Sequence, residues 1–255
     1  MANAAERITD VLSVLVQHPA GLSASEVGEA LGLSRTAAAR LLTLMVEAAL
    51  AERDPDTQKY VLGLDLWLTG TAATQRLPVV ELSRLPMAEA VAVHGTPLFV
   101  GVNRGSQTYV LRAVERVRNY PIVHPIALKQ PIPELATGKA ILAFDAPNNV
   151  AAALAGLFAD DAEGRGERER LVEELERTRE RGFALKYCQD GSGVNGIAVP
   201  IIDRSGYAVA GLSASLAPVP VERYTPEPVL SVIKDAADVV SRNLGYARFT
   251  AAVVP

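Results

Sequence analysis

One cysteine, Cys188, serves the whole 255-residue chain. A single thiol cannot close an intramolecular disulfide, so a disulfide-stapled scaffold is excluded and a reducing cytoplasm fits. Histidine is nearly as scarce, with three in all, and no Cys/His/Asp cluster has zinc-ligand spacing. Neither metal nor cofactor is expected. No apolar run approaches the ~20 residues of a membrane helix, and no charged-then-apolar leader precedes the first helical pattern. Membrane insertion and secretion are therefore not expected, and the location read is cytoplasmic. A basic excess is missing too, since the net charge is −4. Repeats and low-complexity tracts are absent. What remains is an ordinary globular composition, 49% apolar and 21% charged, long enough for one or two domains.

The informative stretch is residues 21–63, GLSASEVGEALGLSRTAAARLLTLMVEAALAERDPDTQKYVLG. Ser23 with Glu26 has capping-box spacing at the start of a helix. Gly32 is placed to end that helix and Ser34 to start another, running to about residue 49. Two helices across a short turn form the helix-turn-helix unit, whose second helix enters the DNA major groove. On that helix Ala37, Ala38, Leu41, Leu44, Met45 and Ala48 are expected to pack inward. Thr36, Arg40, Thr43 and Glu47 line the other side, and Arg35 joins Thr36 in the first turn. Residues 50–53 and 59–62 flank Asp54-Pro55-Asp56-Thr57-Gln58 as a β-hairpin. A hairpin in that place is a wing, with Arg53 and Lys59 available for phosphates. Residues 6–17 supply a supporting helix with apolar residues at helical spacing, ended by His18-Pro19.

Charge argues the other way. Over residues 1–77 six bases face nine acids, a net −3. Phosphate attraction must then come from local placement of a few bases and from helix N-termini, with dimerisation doubling the contacts. A protein-binding helical module is the alternative for this stretch taken alone.

Beyond the wing, residues 63–76 read as a helix bearing Trp67, a core or dimer contact. Leu77-Pro78 marks a boundary between a reader of residues 1–77 and a second domain of 78–255. There, 79–93 reads as a helix kinked or split by Pro86, and 97–102 with 107–114 as a hairpin. The segment 120–128 is apolar but broken by prolines. Helices follow at 147–158 and 167–181, the latter dense in interleaved charge and read as solvated. Strands at 183–187, 196–203 and 207–215 and a closing helix at 225–244 complete the pattern. Without regular βαβ alternation, the expectation is an α+β domain on a mostly antiparallel sheet.

These residues together resemble the IclR family of bacterial transcription regulators, nearly end to end. The reader matches at GLSASEVGEALGLSRTAAARLL and RDPDTQKYVLG, the second domain at LATGKAILA, RGFAL and IAVPIIDRSGYAVAGLSAS. The resemblance implies a winged helix-turn-helix dimer on operator DNA, palindromic or nearly so, in a bacterial cytoplasm. It also implies a GAF-like α+β domain that senses a small molecule, and homodimers that often pair into tetramers. DNA contacts are expected at Ser34, Arg35, Thr36, Arg40, Thr43, Arg53 and Lys59. Ala37, Ala39 and Ala49 depart from the family pattern, Ala49 standing where a glycine usually precedes the wing.

The family's effector pocket carries over to Ala136 and Thr137, at a helix expected to begin around Gly138, whose N–H groups suit an anion. Ser213 and Ser215 share one strand face and offer hydroxyls, although two small packed residues would look the same. Lys186 stands where relatives often place an acid, and Gly196 where they often place cysteine or another side chain. Lys186 turns the local sign towards a small organic anion. Lys139, with no phosphate loop around it, is read as a solvated helix lysine.

An enzyme is the rival class. Residues 191–196 fit GxGxxG, but a strand pattern follows where the dinucleotide fingerprint needs a helix. Cys188 with His94 or His124 has no local catalytic signature. The chain is thus read as a non-enzymatic regulator whose operator binding answers to a metabolite, the remaining alternative being a ligand-independent DNA-binding regulator.

Overall fold

The computed structural model describes residues 4–117, 120–188, 193–220, 223–227 and 229–247, with the backbone alone at 120–127 and 217–219. It divides into two units, Met1–Arg76 and Leu77–Pro255.

In the first unit, local capping sets the helix ends. Helix α1 (Ala4–Val16) leads to α2 (Ala24–Leu31). The Ser23 hydroxyl accepts the Glu26 N–H at 3.3 Å, and the Glu26 carboxylate accepts the Ser23 N–H at 2.6 Å. Losing such a cap costs about 1 kcal/mol. Gly32, at φ 65°, ends α2 in the left-handed region. Ser34 accepts the Ala37 N–H at 3.2 Å and opens α3 (Arg35–Glu47). Strands β1 (Ala51–Arg53) and β2 (Tyr60–Leu62) form the hairpin. Tyr60 also exchanges both backbone hydrogen bonds with Leu22, which ties the hairpin to the segment entering α2.

Val11, Leu15, Val27, Ala38, Leu42, Met45 and Tyr60 form the core of this unit. The inward face of α3 is therefore Ala38, Leu42 and Met45, and the expected stripe is corrected by a rotation of about one position. Leu44 is 51% exposed, and Ala48 is exposed as well. Apolar residues outnumber core positions on α3, so periodicity alone leaves the phase open. Helix α4 (Asp65–Gln75) buries none of its residues, and Trp67 is 60% exposed. The Glu52 carboxylate accepts the Leu64 N–H at 2.7 Å and anchors the start of α4 to β1.

The second unit opens with α5 (Pro78–Leu82) and α6 (Arg84–His94). The expected break at Pro86 falls at Ser83 instead. Pro86 sits in the first turn of α6, where a missing N–H costs no helical bond. Strands β3 (Leu98–Arg104), β4 (Gln107–Val117), β5 (Tyr120–Pro131), β6 (Ala184–Tyr187), β7 (Val194–Ile202) and β8 (Ala208–Val219) follow. Among the described residues they form one antiparallel sheet in the order β5-β4-β3-β8-β7-β6. The proline-broken segment is thus a strand after all, and it lies at the sheet edge, where proline's missing donor is tolerated.

Strand alternation sorts the two faces. Val100, Ile197, Val199, Leu212 and Ala214 face a core shared with Met87 and Val91 of α6 and Ile233 and Val240 of α10 (Val229–Asn243). The alternate residues Gly101, Ala184, Ala198, Gly211 and Ser213 face α7 (Ala136–Ala143), which follows a single 3-10 turn at Ile132–Glu134. Helices α8 (Pro147–Leu157) and α9 (Ala162–Arg181) pack on α7 through Leu142, Leu154, Leu171 and Leu175. The Asp161 carboxylate caps α9 through the Gly164 N–H at 2.7 Å, so this helix starts earlier than its charge pattern suggests. Among the described residues no helix is long and apolar enough to cross a membrane.

Candidate DNA-reading surface and effector cavity

On α3 the residues Arg35, Thr36, Arg40 and Thr43 are all exposed, as is the capping Ser34. The Thr43 hydroxyl donates to the Ala39 carbonyl at 2.9 Å. Leu44, one turn beyond Arg40 and exposed, extends this surface; it was missed because its type suggested core. On the hairpin, Arg53 donates to the Gln58 carbonyl at 3.3 Å and lies over the Tyr60 ring. Lys59 is 3.9 Å from Glu26, an exposed pair of little strength. Asp54 builds the turn between the strands. Its Oδ1 accepts the Thr57 N–H at 2.6 Å, the Thr57 hydroxyl at 2.8 Å and the Asp56 N–H at 3.0 Å. Those hydrogen bonds hold its carboxyl below the ordinary value.

The six candidate effector residues all line one cavity of about 300 Å³ in the second unit: Ala136, Thr137, Lys186, Gly196, Ser213 and Ser215. Strand register explains half of them. Lys186, Gly196 and Ser215 stand side by side across β6, β7 and β8. Two residues along, Ala184, Ala198 and Ser213 form the next row on the same face. Small residues in both rows leave space under the start of α7, and that space is the cavity.

Helix α7 is held hard against this floor. Its start is Ala136, two residues before the expected Gly138. A Cβ on Gly211 would meet the Thr137 carbonyl oxygen at 3.1 Å, and one on Gly138 would meet the Thr108 hydroxyl at 2.2 Å. Asn103 donates to the Gly138 carbonyl at 3.0 Å and accepts from the Thr108 hydroxyl at 2.9 Å. The Thr137 hydroxyl donates to Ser213 Oγ at 2.8 Å. The first intrahelical bond is Lys139 N–H to Leu135 O, so the N–H groups of Ala136, Thr137 and Gly138 precede the helical ladder. Together with the helix dipole they give the cavity a positive end.

Sequence reasoning missed the apolar walls, Phe99, Val110, Leu128, Leu135 and Leu216, and it missed Asn195. Asn195 is the residue without a partner in either neighbouring ladder, so an irregularity in β7 carries it to the cavity wall. Its Oδ1 is buried and lacks a hydrogen-bond partner among the described residues. Such bulges cannot be read from alternation.

Lys139 is corrected outright. It is 7% exposed, not solvated. Burial pushes its ammonium below the ordinary lysine value, opposed by the carboxylate of Glu174 at 3.8 Å. Glu174 itself is turned inward from charge-rich α9 and accepts Arg181 Nη2 at 2.7 Å. A larger cleft of about 640 Å³ elsewhere on this unit contains none of the six candidates. Its carboxylates Asp145 and Asp203 are spent on local capping, to Ala146 and Asn149 and to Ser205, so the smaller cavity is the better site. Residues 191 and 192 of the GxGxxG spacing lie outside the described residues, and a strand begins at Val194 within it.

Two family models match successive parts of the chain. The family described as "Bacterial transcriptional regulator IclR C-terminal" matches residues 71–242, and "IclR helix-turn-helix domain" matches 4–55. The HTH-type transcriptional regulator BhcR of Paracoccus denitrificans is 28% identical, covering 95% of this chain and 86% of its own. The glycerol operon regulatory protein of Streptomyces griseus is also 28% identical, covering 96% and 97%. Among solved structures, the Thermotoga maritima IclR superposes with a TM-score of 0.70 at 26% identity, covering 96% and 99%. An IclR homologue from Microbacterium hydrocarbonoxydans, complexed with 4-hydroxybenzoate, superposes with a TM-score of 0.73 at 21% identity, covering 96% and 100%.

Proposed function

Since the chain belongs to the IclR family, with a helix-turn-helix domain followed by the family's C-terminal regulator domain, we propose that it binds a specific operator and that a small organic anion in the α7 cavity changes that binding. Arg35, Thr36 and Arg40 read base edges from α3, and Leu44 adds apolar contact of the kind that thymine methyl groups accept. Ser34, Thr43, Arg53 and Lys59 hold phosphates. One recognition helix spans too few base pairs for genomic specificity, so the protein acts as a dimer or tetramer on two half-sites. Leu64, Trp67 and Leu68, all exposed on and beside α4, supply the self-association surface. The domains are residues 1–77 for DNA and 78–255 for effector and assembly, the whole acting in the cytoplasm without enzymatic activity.

The observation that carries the effector reading is the convergence of all six candidate positions on one cavity at a helix N-terminus. Its apolar walls suit a carbon body, and its N–H groups, hydroxyls and Lys186 suit a carboxylate. The 4-hydroxybenzoate of the Microbacterium hydrocarbonoxydans neighbour has that general chemistry. A regulatory ligand must also bind the DNA-competent and DNA-incompetent arrangements unequally.

The test has two arms. Genomic fragments selected by the purified protein define an operator, and carboxylates are then titrated calorimetrically against wild type and Lys186→Met. Weaker binding by the variant and altered operator affinity with ligand are expected. Equal affinity for operator and scrambled DNA would sink the DNA reading. A carboxylate that binds without moving operator affinity would remove the regulatory one.

A further inference from the structure

Beside the effector cavity lies a second cavity of about 650 Å³, and Lys186 and Asn195 line both. Its other walls include Glu134, Lys139 and Tyr187. Lys139 is the unusual member. Its side chain is 9% exposed, yet among the described residues its Nζ has no hydrogen-bond acceptor. The nearest carboxylate oxygen, Glu174 Oε1 at 3.8 Å, is already bonded by Arg181 at 2.7 Å. The Tyr187 ring, 5.7 Å away, offers the ammonium only its π face. An ammonium has three donors and no acceptor, and burying it without oxygen partners is costly. An anion in the adjoining space supplies such partners, and there it meets the two ammonium groups of Lys139 and Lys186 against the single carboxylate of Glu134.

The two cavities share Lys186 and Asn195 as a common wall, so a short diacid of the succinate-to-adipate series is of a size to reach from one into the other. Lys186, on the wall common to both cavities, stands between the two ends. Resting on the effector reading above, we propose that the effector is a short dicarboxylate. One carboxylate lies at the N-terminus of α7 with Thr137, Ser213 and Ser215, and the other occupies the second cavity against Lys139 and Lys186. Lys139 is then a specificity-determining residue that separates diacids from monoacids.

The experiment is calorimetric titration of the full chain with succinate, glutarate, adipate and their half-amides. A half-amide keeps the length and one carboxylate but replaces the second with a neutral group. At least one diacid is expected to bind about tenfold or more tightly than its half-amide, as loss of a charge-assisted contact implies. Lys139→Met is expected to abolish that ratio while leaving half-amide affinity unchanged, with thermal melting reporting the fold. If that variant does not fold, the wild-type ratio of diacid to half-amide decides. Equal wild-type affinity for diacid and half-amide overturns the dicarboxylate proposal and leaves the monoanion reading standing. Binding of neither these acids nor any monocarboxylate overturns both.

Discussion

Ala49→Gly should stabilise the DNA-reading unit. Ala49 lies between α3 and β1 at φ 56°, in the left-handed region where an L-residue's Cβ crowds the following carbonyl. That conformation costs about 1–2 kcal/mol for a residue with a Cβ. Glycine avoids the cost but brings about 0.5–1 kcal/mol of extra unfolded-chain entropy. The net expectation is a gain of about 0.5–1 kcal/mol. For a unit of 76 residues, this corresponds to a rise of about 2–8 °C in its melting transition. Differential scanning calorimetry of the full chain reads the shift, with the two units allowed separate transitions. A control sits opposite, at Gly63, where a Cβ would lie 2.2 Å from the Ala49 carbonyl oxygen and 2.9 Å from its carbon. Both are backbone atoms that cannot swing aside, so Gly63→Ala should cost at least about 1–3 kcal/mol. An Ala49→Gly protein that melts at or below the wild-type temperature would show that Ala49 is not strained and would refute the reasoning.

Arg40→Ala should weaken operator binding by about 1–3 kcal/mol with little effect on scrambled DNA, whereas Lys59→Ala should weaken all duplexes alike and flatten the salt dependence, both read by fluorescence anisotropy. Gly138→Ala should lift α7 off Thr108 and Ile132, lowering stability by at least about 1–3 kcal/mol and weakening any carboxylate ligand; an unchanged melting curve would contradict the close packing. Acid should destabilise the first unit. Glu26 is held below its ordinary 4.5 by hydrogen bonds from the Ser23 backbone and side chain, and Asp54 below 3.8 by Thr57. The unfolded chain therefore takes up these protons first, and the stability present above those values is lost as pH falls through the lower folded ones. Ser23→Ala should shrink the Glu26 part of that loss in acid titrations followed by circular dichroism. Lys139 acts in the same direction at higher pH, because its depressed folded value makes rising pH stabilising up to its unfolded 10.5, an effect Lys139→Met should remove.

Local chemistry was legible in the residues themselves. Ser23 with Glu26, Gly32 and Ser34 act on backbone groups within four positions, so their meaning does not wait for the fold. Strand alternation likewise placed Ser213 and Ser215 on one face, and family resemblance put Ala136, Thr137, Lys186 and Gly196 in the same neighbourhood. The tertiary structure decided what depends on distant partners. It chose which of α3's surplus apolar residues to bury and left Leu44 outside. It moved the break expected at Pro86 to Ser83, and it brought Asn195 to the cavity wall through an irregularity that no periodicity announces. Lys139 is the clearest case. Nothing near it in the chain marks it as buried; Glu174 and Tyr187, which surround it, come from a helix and a strand that fold over α7. Burial of a charge depends on what packs over it, and that depends on contacts between residues far apart in the sequence.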